Sequence, residues 1–123
     1  MDRNEKLRQK EYISRHVNVL NTRLKDWEVS FLVDFIERYD ADYRGHSETL
    51  RPVETKGFDR GDTYRRLSTI SYTFTDDIGI HEVDEVHYDD GQNDTFPSNI
   101  TDARGIIAWF WKRRPAEVQR FAV

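Results

Sequence analysis

The stretch "TYRRLSTISYTFTDDIGIHEVDEVHY", residues 63–88, carries the strongest structural signal in the chain. Ile70, Tyr72 and Phe74 alternate with Thr69, Ser71 and Thr73. A period of two is what a half-buried strand requires, because successive side chains point to opposite faces. Asp76-Asp77-Ile78-Gly79 reads as a turn, and Ile80–Tyr88 as the partner strand. Asp89-Asp90-Gly91 closes that strand with an Asp-Gly turn signal. Strands joined by so short a turn pair antiparallel.

Working outward, "WEVSFLVDFIE" (27–37) also alternates and is expected to be a strand. The buried sheet face would then be Val29, Phe31, Val33, Phe35, Ile70, Tyr72 and Phe74. Residues 38–48 read as a loop from their Asp, Gly and Ser content. "TLRPVETKGF" is a weak strand, and Pro52, which cannot donate to a ladder, places it at an edge.

Residues 3–27 read as one helix, with Ile13, Val17, Leu20, Leu24 and Trp27 on a narrow stripe and residues 1–10 as a solvated extension. At the other end, "FPSNITDARGIIAWFWKRR" begins as a loop and becomes a helix. Thr101 or Asn99 is the expected N-cap, and Asp102 suits the positive end of the helix dipole. Pro115 ends that helix and opens a last short turn carrying Val118 and Phe121. The expected architecture is a single α+β domain over residues 1–123. It has an N-terminal helix, a four-stranded antiparallel meander and a C-terminal helix packed on one sheet face.

With no cysteine, disulfides, zinc-thiolate sites, iron–sulfur clusters and thiol nucleophiles are excluded. The opening "MDRNEKLRQK" is the opposite of a signal's apolar run, and no stretch approaches a membrane span, so a soluble cytoplasmic protein is expected. Net charge is −4, but it is unevenly placed. Residues 67–103 contain nine acids and no Lys or Arg, while the other 86 residues carry 19 basic and 14 acidic groups. Such segregation produces a directional field that steers encounters with charged partners.

The acids concentrate in "IHEVDEVHYDDGQND", residues 80–94. Set on Gly91, an EF-hand calcium loop would place Val86, Tyr88 and Pro97 at ligand positions, so it fails. His81 and His87 share a strand face but lie about 20 Å apart, too far to share one ion. Glu85 and His87 supply two ligands where a site needs three or four. No metal, no cofactor and no catalytic residue is assigned, since no phosphate-cradling loop, nucleophile elbow or zinc-histidine helix is present. In "ETKGFDRGDTYRR" (54–66), Arg and aromatic residues suit a nucleic acid, but interleaved acids reduce the net charge to +1. The last helix opens on Thr101-Asp102-Ala103, the wrong sign for a phosphate, so nucleic acid is not an expected partner.

The expectation is therefore a non-catalytic interaction module of inhibitor, immunity or phosphate-mimic type, of the kind mobile elements carry. Glu82, Asp84, Glu85, Asp89, Asp90 and Asp94 would meet a partner protein's basic surface. Trp109 and Trp111 on the last helix, or Ile13, Val17, Leu20 and Leu24 on the first, would anchor a homodimer. The alternative is a small RNA-acting enzyme or toxin using Arg65, Arg66 and a histidine. It gains if the fold brings those residues into one concave site.

Overall fold

The computed structural model describes residues 1–20 and 23–122. Two N-terminal helices, α1 (Arg3–Ser14) and α2 (Asp26–Arg38), lead through a π-helical turn at Tyr39–Tyr43 into a five-stranded antiparallel sheet. Its strands are β1 (Ser47–Thr49), β2 (Val53–Asp59), β3 (Asp62–Phe74), β4 (Ile80–Tyr88) and β5 (Asn93–Ile100). Helices α3 (Ala103–Arg113) and α4 (Pro115–Gln119) complete the domain. The mixed α+β class and the antiparallel meander are as expected from the alternation. The composition of the helical layer and of the sheet edges is not.

Residues 27–37 are the main correction, since they form α2 and not a strand. A segment this apolar satisfies two periods at once. The structure buries Val29, Leu32, Ile36 and Tyr39 along one row and Phe31 and Phe35 along the next, at spacings of three and four, and leaves Val33 half-buried. Polar groups at the ends decide for the helix. The Glu28 carboxylate turns back to accept from the Lys25 backbone N–H at 2.8 Å, and Arg38 in the last turn reaches Asp34 at 2.9 Å and Asp42 at 2.7 Å. The face assigned to the sheet thus divides between two layers. Val29, Phe31 and Phe35 come from α2, and Tyr72 and Phe74 from β3.

The single helix expected over 3–27 also ends early, at Ser14. Asn18 is the cause. Its side chain accepts from the Leu20 N–H at 3.0 Å, and its backbone pairs with Asp102, with the Ala103 N–H donating to the Asn18 carbonyl at 2.8 Å. An Asn side chain bonded two residues ahead competes directly with the helical ladder. Leu20 follows at φ +50°, in the left-handed region. Asn21 and Thr22 of the expected helix lie outside the described residues.

Two features concern the sheet edges. The strand expected around Pro52 is present as β1 and β2, broken between them, and both pair with the same side of β3. Strand β5, read as a loop from sequence, pairs along β4 from Ile80↔Ile100 to His87↔Asn93. Its Asn, Asp, Pro and Ser residues give no strand signal. Pro97 is tolerated because β5 is the outermost strand, with one side free of ladder bonds.

Register defines the two faces. Phe74, Tyr72 and Ile70 lie opposite Ile80, Glu82 and Asp84 on the inner face, which the helices cover at one end. Phe74 is fully buried, with rings of Tyr43, Trp109, Tyr72 and Phe110 between 4.9 and 6.1 Å away. The outer face is hydroxyl-rich. Ser47 pairs with Thr73 at 2.7 Å and Thr49 with Ser71 at 3.1 Å.

Helix α3 starts one residue later than expected, with Asp102 as its N-cap accepting from the Gly105 N–H at 3.0 Å. Tyr39 fastens the β3–β4 turn to the helical layer, donating to the carbonyls of Thr75 at 2.6 Å and Gly79 at 2.9 Å. The phenol of Tyr43 meets Glu117 at 2.5 Å, and that of Tyr72 meets Glu48. Burial, reinforced by those carboxylates, raises both phenols, Tyr72 to about 12. A phenol raised above its unfolded value near 10 contributes stability that is complete below pH 10 and is lost as pH rises through the folded value. Unfolding free energy is therefore expected to fall between about pH 10 and 12, and Tyr72→Phe should flatten that decline. Denaturant melts across this range, followed with phenolate absorbance, check it. An equally steep decline in the Phe variant would refute the assignment.

Candidate functional site

The sheet is longer than the helices that cover it. Beyond α3, the Asp62–Ser68 half of β3, the end of β4 and the start of β5 extend as an arm exposed on most of its surface. The acidic residues of 80–94 divide along this length into two groups.

Glu82 and Asp84 lie half-buried on the inner face. Glu82 accepts from the Trp109 indole N–H at 2.6 Å and lies 3.4 Å from Arg113, and Asp84 accepts from the Ser68 hydroxyl. Neither is presented to a partner as expected, because Glu82 is taken up by the buried Trp109 indole and Asp84 by the half-buried Ser68 hydroxyl. Glu85, Asp89, Asp90 and Asp94 are exposed on the arm. Among the described residues none of these four is ion-paired with Lys or Arg. Glu85 has only the His87 ring, at 3.9 Å. Asp89 accepts from the Arg65 backbone N–H at 3.0 Å, and Asp90 from that of Gln92 at 2.9 Å. The hairpin end is thereby ordered while its charge stays uncompensated.

The expected interface anchors divide in the same way. Ile13, Val17, Leu24 and Trp109 are buried in the chain's own core, a correction to their reading as contact residues. Trp109 packs edge-on against Tyr72 at 4.7 Å while its indole N–H serves Glu82. Leu20 and Trp111 are exposed, and Trp111, 40% exposed, meets Trp27 edge-on at 6.1 Å.

At the tip of the arm, Phe58, Tyr64, Tyr88, Asp62, Asp89 and Asp94 help line a concavity of about 680 Å³, with Arg60 at one side. Tyr64 and Tyr88 face each other with ring centroids 6.1 Å apart. The Tyr64 ring lies across Gly57 on the neighbouring strand, where a Cβ would come within 2.1 Å of it. Tyr88 donates to Asp94 at 2.9 Å, and that bond holds its phenol above the ordinary value. From sequence, Phe58 and Tyr64 stood among arginines. Register places Tyr64 instead on the face of Tyr88 and Asp94, while Phe58 lies opposite Thr63 on the other face. The one signal that could have found this is a glycine opposite an aromatic across a turn.

The histidines do not converge on a metal. His81 bonds Asn99 at 2.7 Å and His87 bonds Asn93 at 2.6 Å, on separate rows of the outer face. His16 lines another cleft, of about 550 Å³, with Arg15, Asp76 and Asp77. Among the described residues no three His, Asp or Glu side chains form a group that could hold an ion. Arg65 and His87 do line one shallow groove of about 290 Å³, together with Arg66 and Glu54. Arg65 lies 3.6 Å from Glu54, and the Arg66 guanidinium is bonded to Thr55 at 2.7 Å. No described helix is long and apolar enough to cross a membrane.

Comparisons with protein-family models, curated proteins and solved structures return no match for this chain.

Proposed function

We propose that the protein is a non-catalytic interaction module that engages a basic protein surface through the arm of its sheet, in the manner of an inhibitor, immunity protein or phosphate mimic. The observation that supports this most is the state of Glu85, Asp89, Asp90 and Asp94. They are exposed, held in a defined backbone geometry and not neutralised by Lys or Arg among the described residues. Fixed like charges raise the local potential and attract an oppositely charged surface, an effect that salt screens over about 10 Å at 0.1 M. A cytoplasmic location belongs to the same reading.

Converting Asp89 and Asp90 together to Asn keeps both acceptor oxygens and removes two charges. The fold should be unchanged or slightly more stable, because like charges side by side each cost a few tenths of a kcal/mol. Retention of a basic partner at low salt should drop sharply. Retention indifferent to salt and to both substitutions would end the electrostatic reading. Self-association was expected through helical seams that the core now occupies. Sedimentation at micromolar concentration reads the oligomeric state, and a dimer would leave Leu20 and Trp111 as its candidate anchors.

One observation favours a second reading, an RNA-acting enzyme, because Arg65 and His87 share a groove. Asn93 holds Nδ1 of His87 while Nε2 faces the Glu85 carboxylate at 3.9 Å, an arrangement suited to proton transfer, and Arg65 would have to leave Glu54, 3.6 Å away, to meet a phosphate. Cleavage of a single-stranded RNA oligonucleotide that disappears in His87→Ala would establish it, and absence of cleavage by the wild type would dismiss it.

A further inference from the structure

We infer that the concavity at the tip of the arm is a receptor for an arginine side chain of the partner. The inference rests on the proposed interaction function and specifies the chemistry that the arm recognises. Three independent features converge there. First, the site is an open concavity whose aromatic wall is the Tyr64–Tyr88 pair, on one face of the arm. Half-buried rings on an exposed arm offer a π face to a cation.

Second, the rings are set in place by the fold. Tyr64 lies over the bare backbone of Gly57, a position that any Cβ would obstruct. Tyr88 is tied through its phenol to Asp94, so one wall and one carboxylate move as a unit. Third, the carboxylates of Asp62, Asp89 and Asp94 line the same concavity, with Arg60 the only cation among the described residues of the lining. Planar guanidinium combines stacking on an aromatic face with bidentate bonding to carboxylate, and a lysine ammonium cannot do both. The combination of tilted rings and carboxylates in one concavity therefore selects arginine over lysine, whereas a field of exposed acids alone would accept either.

The test uses three blocked peptides, tetra-arginine, tetra-lysine and tetra-citrulline, titrated into the full chain at low salt by calorimetry. Tetra-arginine is expected to bind about two- to fivefold more tightly than tetra-lysine, the contribution of one exposed cation–π contact, and tetra-citrulline not measurably. Tyr64→Leu changes no charge and should reduce tetra-arginine to the tetra-lysine level, while Tyr64→Phe should keep the preference and show that the arm remains folded. Equal affinity for the two cationic peptides, or a preference untouched by Tyr64→Leu, overturns the inference. If binding nonetheless falls with Asp89→Asn and Asp90→Asn, the acidic-surface reading stands without the receptor. If neither the ring nor the charge substitutions matter, both fail.

Discussion

Replacing Phe74 by Ala is expected to destabilise the protein by about 3–5 kcal/mol, the range for removing a large aromatic side chain from a packed core. Phe74 is the point where the sheet meets the helices. It has no solvent exposure, and its ring neighbours come from β3, α3 and the π-helical turn that prolongs α2. Truncation leaves a cavity that Tyr43, Trp109 and Phe110 cannot close by moving independently. Tyr43 is bonded to Glu117 and Trp109 to Glu82, so both rings are held by polar partners. Phe31→Ala belongs in the same range, now because α2 is a core helix and not because it lies in a sheet. Phe96→Ala, at an exposed site on β5, should change stability by less than about 0.5 kcal/mol. Urea denaturation of the three variants decides. A small effect at Phe74 would mean that the helical layer is not seated on β3 as described.

Arg104→Ala is expected to cost about 2–4 kcal/mol, although Arg104 is on the surface. Its guanidinium bonds the carboxylate of Glu28, which is 2% exposed, and also the Arg23 carbonyl at 2.9 Å. The pair ties the start of α3 to the start of α2. Removing the arginine leaves Glu28 as a buried charge with, among the described residues, only the Lys25 N–H as partner. That uncompensated charge, and not the intrinsic value of the pair, accounts for most of the expected loss. The figure lies below that of a fully buried pair because Arg104 is 47% exposed and water screens part of the attraction. A double-mutant cycle separates the effects. Glu28→Gln in the Arg104→Ala background should recover more than half of the deficit, since a neutral amide needs no counter-charge. No recovery would assign the loss to the Arg23 contact instead.

The parts of the fold legible in the sequence are those where one period excludes the other. In Ile70-Ser71-Tyr72-Thr73-Phe74 each polar residue rules out a helix, so strand, face and partner could be read directly. The polar cap residues before a largely apolar run likewise placed α3, though its N-cap is Asp102, one residue beyond Thr101. Residues 27–37 were ambiguous because their apolar positions fit a period of two and a helical period alike. The choice fell to polar groups at the ends, Glu28 capping Lys25 and Arg38 pairing with Asp34 and Asp42, with Arg104 reaching Glu28 from 76 residues away. Strand β5 was invisible for the opposite reason, because an edge strand exposed at nearly every position bears no burial pattern. The charge segregation was complete in the sequence. Only the tertiary structure divided those acids, giving Glu82 to Trp109 and Arg113 and Asp84 to Ser68, and leaving four others in water. The tip concavity was decided at the same level. Cross-strand register sets Tyr64 over Gly57 and next to Tyr88, and no local property of either residue encodes that neighbour.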